Sequence, residues 1–329
     1  NELSRVVRIG DIISVLPVAD GLRSLFPQIQ ISVLASPQNL DVICDDPRFE
    51  HVFLYHKRPW RDVQEIHAMR RRRFDCVMDL TCADSVTGLY LSQLCAPNGL
   101  RVGAGKDHYA PYYDYSYPKT DEHILDMVIK SLDAFGVDSR TIGRYAPPFL
   151  DAESLRKADE FFAGSRFAET LGTMRIGYNL SAGAPTRHWQ HSKVGELLRR
   201  TLAAYPESRV VLISVQSDRP AAEQLASDLG QRVTLIPEHS SIREVSAVIA
   251  RLHILITPDT SLVHIGRSFQ IPVVGLYTRC QWNLDMWRPY GQEHGTVLSG
   301  HEDNIFDISI DQVFDTLVQV VNAKQPVAR

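Results

Sequence analysis

The strongest constraint on this chain is an alternation of short β-branched runs with helical stretches, and the alternation starts twice. In the first half the strand-like runs fall at residues 5–7, 31–35, 51–55 and 76–80, separated by stretches with apolar 3,4 spacing such as 12–26 and 63–72. The rhythm breaks between 103 and 148. It restarts at 174–178 and then alternates through helices 192–205, 220–229, 242–251 and 261–269 and strands 210–215, 233–236, 254–257 and 273–276, with a last amphipathic helix near 311–321. Strands separated by helices imply parallel sheets with right-handed crossovers. A rhythm that starts twice within 329 residues predicts two α/β domains, 1–150 and 151–329, with a polar linker helix at about 151–172 and a last helix free to pack back on the first domain.

Composition narrows the function classes. A formal net charge of -4 gives no basic field for nucleic acid. No apolar run approaches the ~20 residues of a membrane span, and the opening residues carry no signal-peptide core. Residue 1 is Asn, which predicts a trimmed or processed start. The five cysteines, Cys44, Cys76, Cys82, Cys95 and Cys280, are scattered and contain no CxxC pair, as expected of reduced cytosolic thiols rather than a disulfide framework or zinc site. His188 and His191 lack a carboxylate partner or third ligand, so no metal site is expected.

Three segments stand where strands end and helices begin, the edge at which open α/β sheets bind ligands. In the first, Arg8-Ile9-Gly10-Asp11, Gly10 permits a tight turn. Asp11 reads either as an N-cap of the following helix or as a base, since a carboxylate has oxygens for either role. In the second, Ser181 through Gly183 and Thr186 to Arg187, small residues admit an anion and Arg187 offers a bidentate positive charge; the alternative is an ordinary loop with a surface arginine. In the third, Asp259, Thr260 and Ser261 are N-cap types, followed by Leu262 and, one turn on, His264. A helix N-terminus there favours a diphosphate. The stretch where the rhythm breaks holds Tyr109, Tyr112, Tyr113, Tyr115 and Tyr117, and reads as a packed loop or as a surface receiving a large acceptor, with a helix following at 124–135. The arginines at 70–73 close a helix, where the dipole favours them, and read as a solvated face or as a contact for phosphates.

In this order the three segments resemble glycosyltransferase family 9, the lipopolysaccharide heptosyltransferases. Gly10-Asp11 followed by Leu16-Pro17, a turn from Gly183 through Arg187 to Trp189, and Asp259 followed by His264 match that family's motifs along nearly the whole chain. The resemblance implies a GT-B fold, two Rossmann-like domains facing across a cleft. The N-terminal domain would take the acceptor, with Arg8 and Gly10 near it and Asp11 as catalytic base. The C-terminal domain would bind a nucleotide sugar, usually ADP-heptose, through Ser181, Gly183, Thr186, Arg187, Ser240, Asp259, Thr260, Ser261, Leu262 and His264. The implied reaction is inverting transfer to the lipopolysaccharide inner core without cofactor or metal, by a cytoplasmic protein that can touch the inner membrane peripherally. Ser261 in place of the usual Gly, and Thr278-Arg279-Cys280-Gln281 in place of a Gly-Pro-Thr-type turn, depart from the pattern. They keep open another nucleotide sugar, or a non-catalytic scaffold that binds one.

Overall fold

The computed structural model describes residues 9–164 and 173–324. The chain divides into two compact units, Asn1–Phe149 and Leu150–Arg329. The strand expected at 5–7 and Arg8 lie outside the described residues, as does 165–172 of the expected linker.

The first unit runs α1 (Ile9–Leu25), β1 (Ser32–Ala35), α2 (Leu40–Ile43), β2 (His51–Leu54), α3 (Pro59–Arg72), β3 (Cys76–Asp79), α4 (Val86–Cys95), β4 (Leu100–Ala104), β5 (Tyr115–Tyr117) and α5 (Ile124–Ile129), the last continuing as a 3-10 turn, Lys130–Phe135. Among the described residues its strands form two parallel sheets, β1-β2 and β3-β4-β5. The helix expected from residue 12 begins at Ile9, so Asp11 lies in the first turn of α1 and is not its N-cap. A carboxylate in a first turn still faces the positive end of the helix dipole. Pro17 sits inside α1, which continues to Leu25 with Leu16, Pro17 and Val18 buried. The stretch expected to be irregular holds a strand, β5, and its Tyr113 is buried. Sequence periodicity fails there because β5 has three residues and pairs only at long range, Val102 with Tyr115 and Ala104 with Tyr117.

The second unit runs α6 (Ala152–Ala163), β6 (Arg175–Asn179), α7 (His191–Ala204), β7 (Arg209–Ile213), α8 (Arg219–Leu229), β8 (Val233–Leu235), α9 (Ile242–Ile249), β9 (Ile254–Pro258), α10 (Ser261–Ser268), β10 (Val273–Tyr277), α11 (Gln281–Trp287), β11 (Thr296–Leu298) and α12 (Ile310–Lys324). Its six strands are parallel in the order β11-β10-β9-β6-β7-β8. Numbered within the unit this is 6-5-4-1-2-3, the doubly wound order. β9 and β10 are buried along their whole length, which is why they read as unbroken apolar runs. One core joins Ile176, Tyr178, Leu212, Ile256 and Val274 of the sheet to Leu197 and Leu198 of α7.

Two helices at the ends of this unit pack on it. α6 starts at Asp151, whose Oδ1 accepts the Ser154 N–H at 2.7 Å. It is held to α9 and the turn after it by Asp151–Arg243, Lys157–Glu244 and Asp159–Arg251 pairs at 2.6 Å each. α12 sends Val313, Leu317 and Val320, spaced 4 and 3 apart, into the unit's own core. The Arg200 guanidinium of α7 lies 4.0 Å above the Phe314 ring.

Candidate active site

In a doubly wound sheet the crevice opens where the chain reverses its direction of growth. Here that point lies between the carboxyl ends of β6 and β9, which are hydrogen-bonded neighbours. The second and third motif segments are the loops leaving those two strands, so one topological feature brings together residues some 80 positions apart in sequence.

Asn179, the last residue of β6, ties the two loops. Its Nδ2 lies 3.0 Å from Thr257 Oγ1 and 3.0 Å from the Ser181 carbonyl, with Thr260 Oγ1 at 3.2 Å, while its Oδ1 accepts the Ser181 N–H at 3.2 Å. Thr257 and Thr260 hydroxyls are 3.1 Å apart. The Thr260 hydroxyl also accepts the Leu262 N–H at 3.3 Å and so caps α10. Ser181 is buried, and its hydroxyl accepts the Val215 N–H at 2.9 Å, fixing the β6 loop to the end of β7. Ser181 and Leu262 are thus parts of the scaffold, with polar groups already engaged.

The charged centre is a pair. Arg187, on a 3-10 turn Pro185–Arg187, places Nη1 3.0 Å from Asp259 Oδ2. The same Oδ2 accepts the Asn283 amide of α11 at 2.9 Å. The Asp259 side chain is 11% exposed and that of Arg187 33%, so the acid lies beneath and the guanidinium reaches outward. Asp259 therefore orients Arg187, whose planar fork carries five donors in a fixed geometry. Beneath them Tyr277 is fully buried with its hydroxyl donating to the Trp287 carbonyl at 2.9 Å. Its ionisation is pushed well up, first by burial and then by the Asp259 charge.

The other donor-side candidates fall around this pair. Gly183 faces open space: a Cβ built there meets nothing within 4 Å. The exposed Thr186 offers its carbonyl to the Ile305 N–H at 3.1 Å. Ser261 opens α10, and His264, half-buried one turn further, packs edge-on against Trp287 at 5.2 Å. Trp189 of the same motif is core, with its Nε1–H donating to the Ile308 carbonyl at 3.0 Å. Ser240 stands apart from the pair: it follows β8 at the sheet edge and donates to the Pro237 carbonyl at 2.7 Å. His188 lies 3.2 Å from the Ala182 carbonyl, and among the described residues no group of three His, Cys, Asp or Glu side chains is arranged to hold a metal ion.

In the first unit, Asp11 is half-buried in the first turn of α1. It shares a neighbourhood with a polar network at the carboxyl ends of β3 and β4. There Lys106, wholly buried, places Nζ 3.0 Å from Asp79 Oδ1, 2.7 Å from Thr81 Oγ1 and 2.6 Å from the Ala83 carbonyl. The Tyr113 hydroxyl donates to Asp79 Oδ2 at 2.7 Å. Two glycines make room: a Cβ on Gly88 would stand 2.3 Å from Asp79 Oδ2, and Gly105, at φ +63°, would press one against the Cys82 backbone at 2.6 Å. The Cys82 thiol among these groups is pushed up to about 12, by burial foremost and against the pull of Lys106; Asp79 and Asp11 add to the rise. Cys76 is likewise raised to about 11 by burial. Both are poor nucleophiles at neutral pH.

A doubly wound parallel sheet with a capped helix start and an oriented arginine at its switch point belongs to the class of α/β proteins that handle phosphorylated ligands. Residues 64–317 match glycosyltransferase family 9 (heptosyltransferase), and the chain belongs to that family; it is a glycosyltransferase. A solved family 9 glycosyltransferase from Veillonella parvula DSM 2008 has 17% identity and a TM-score of 0.80, over 97% of this chain and 95% of that one. The E. coli ADP-heptose LPS heptosyltransferase II has 16% identity and a TM-score of 0.70, over 97% and 98%. The E. coli heptosyltransferase WaaC with ADP has 15% identity and a TM-score of 0.73, over 97% and 96%. At these identities the likeness establishes the fold, which is GT-B with two Rossmann-like units. Comparison with curated protein sequences gave no match.

Sequence reasoning missed Asn179, Asn283, Lys106 and Asp79. Asn179 left a signal, since Asn is disfavoured in strands and ends one here. Asn283 left none, because α11 falls where the sequence departs from the family turn.

Proposed function

We propose that this chain transfers a heptose from ADP-heptose to a hydroxyl of the lipopolysaccharide inner core, inverting the anomeric centre and needing no metal. The observation that carries the reading is the Arg187–Asp259 pair beside the capped start of α10, at the switch point of a family 9 glycosyltransferase. In this reading the second unit takes the donor and the first takes the acceptor, with Gly10 and Arg8 near it. The protein works at the cytoplasmic side of the inner membrane.

Asp11 removes the acceptor hydroxyl proton as that oxygen attacks the anomeric carbon. The bond from that carbon to the diphosphate oxygen breaks, and ADP leaves with the electron pair. Arg187 and the N-terminus of α10 meet the charge that develops on the diphosphate, with no reorganisation at the moment of reaction. Thr260 holds that helix start and Asp259 holds the arginine.

The test is transfer from ADP-heptose to a defined inner-core acceptor by wild type and by Asp11→Asn. Asn lacks the proton-accepting charge and fits the same helical turn. The rate is expected to fall about 10²–10⁴-fold with donor affinity retained. Melting is expected to change by at most the ~0.3–1 kcal/mol of a first-turn charge. Transfer at the wild-type rate would remove Asp11 from the mechanism. A second reading, a different nucleotide sugar, is favoured by Ser261, whose side chain stands at the start of α10 where the family carries Gly. A panel of nucleotide sugars scored by thermal stabilisation separates the two, since the ligand that binds the native state raises apparent stability.

A further inference from the structure

Helix α3 of the first unit carries an outward face that the proposed chemistry does not use. Its inner face is accounted for: Ile66 and Met69 pack with Phe53 and Leu91 under the helix. Its outer face presents Trp60, 74% exposed, and Val63, 61% exposed, one helical turn apart. Among the described residues Trp60 is the most exposed of the large apolar side chains, and Val63 extends it into an apolar pair. Between 57 and 73 the sequence has seven basic and two acidic side chains, in a chain whose formal net charge is -4.

The arginines at 70–73 can be explained locally, because the C-terminal end of a helix favours positive charge. The other end cannot be explained that way. Lys57, Arg58 and Arg61 are exposed at the N-terminal end, where the dipole opposes them. Lys57 also adopts a left-handed backbone at φ 58°, uncommon for a side-chain-bearing residue. The turn is held by Asp62, 2% exposed, which accepts the His56 N–H at 2.8 Å and the Arg58 N–H at 2.7 Å. Unfavourable charge placement, an unfavourable backbone and an exposed Trp thus coincide on one pinned turn. Such a combination costs stability in isolation and gains a reason if a negatively charged, partly apolar partner covers it.

We propose that the outer face of α3 docks on an anionic phospholipid bilayer. Trp60 and Val63 enter the headgroup boundary while Arg70 and Arg71, on the same side of the helix, and the exposed Lys57, Arg58 and Arg61 at its N-terminal end lie against the lipid phosphates. Trp suits that boundary because its ring is apolar and its N–H is polar. Each basic side chain near a charged leaflet adds attraction that salt screens. The proposal deepens the reading above, in which the acceptor is membrane-borne, but its binding readout needs neither donor nor acceptor.

The full chain is sedimented with vesicles of phosphatidylcholine containing about one-third phosphatidylglycerol, and with phosphatidylcholine alone. Wild type is expected to sediment with the anionic vesicles only, and to be released by salt. Trp60→Ala and the pair Arg58→Glu, Arg61→Glu are each expected to weaken binding about tenfold, with melting temperatures and transfer to a soluble acceptor unchanged. Three results would overturn the proposal: wild type that ignores anionic vesicles, variants that bind as wild type does, or displacement by inorganic phosphate at constant ionic strength, which would mark a phosphate site rather than a lipid surface. If the protein bound vesicles but transferred no heptose, the enzymatic reading would fail and the docking surface would stand.

Discussion

The two units fix their strand-end loops by different chemistry. In the second unit the β6 and β9 loops are joined by Asn179, Thr257 and Thr260, neutral groups in a chain of hydrogen bonds, and the Arg187–Asp259 pair stands partly exposed above them. In the first unit the loop after β3 is fixed by a charge that never reaches solvent, Lys106 against Asp79. A neutral tie can be built into a fully buried parallel sheet at little desolvation cost. A buried ion pair is expensive to form and more expensive to break. The six-stranded sheet gives the second unit a continuous core, and the first unit depends on the Lys106–Asp79 tie at the ends of β3 and β4.

The largest expected effect tests that dependence. Lys106→Met strands Asp79 as an unpaired buried charge and is expected to destabilise the first unit by about 3–5 kcal/mol. Adding Asp79→Leu is expected to restore much of the loss, since an apolar replacement of both partners removes the orphan charge. Denaturant unfolding of the two variants checks it, and a double variant no better than the single would show that the pair itself supplies the stability. Next in size, Asn179→Ala leaves Thr257, Thr260 and Ser181 without their shared donor. It is expected to cost about 1–3 kcal/mol in unfolding, with a parallel loss of donor affinity if the tie shapes the site.

The smallest effect concerns the start of α6. The Ser154 N–H and then the Arg243 guanidinium hold the Asp151 carboxyl down at about 2, from an ordinary 3.8. A folded-state value below the unfolded one stabilises above the unfolded pKa and loses that contribution as pH falls through the folded one. Asp151→Ala is therefore expected to cost about 0.5–2 kcal/mol at neutral pH, the usual range for an N-cap. The gap to wild type closes as pH drops from about 4 toward 2. A gap that stays constant over that window would assign the effect to helix geometry alone.

Much of the second unit is legible in sequence because its strands are buried on both faces and its helices carry one apolar stripe. β9 is an unbroken run, and Thr260 sits where a cap must sit. The first unit reads less well. α4 contains Gly88, which breaks a helical pattern and whose place is set by Asp79, a contact between separate elements. β5 is defined by pairing with β4 and by nothing in its own three residues. The site was legible as residue types at strand ends, Arg187 and Asp259 included. Their pairing was not, because it depends on β6 and β9 being neighbours, which is a property of sheet order. The position of Asp11 shifted from cap to first turn because the helix starts earlier than the apolar pattern does.

The account rests most on Arg187 as the donor-diphosphate contact at the switch point. Calorimetric titration of wild type and Arg187→Ala with ADP-heptose and with ADP tests it directly. Loss of one charge-assisted contact, about 1.5–3 kcal/mol, predicts roughly 10- to 150-fold weaker binding of both ligands, together with a lower melting temperature of the free protein because the buried Asp259 loses its ion-pair partner. Equal affinity of variant and wild type for both ligands would contradict the account and move the donor site away from the β6–β9 switch point.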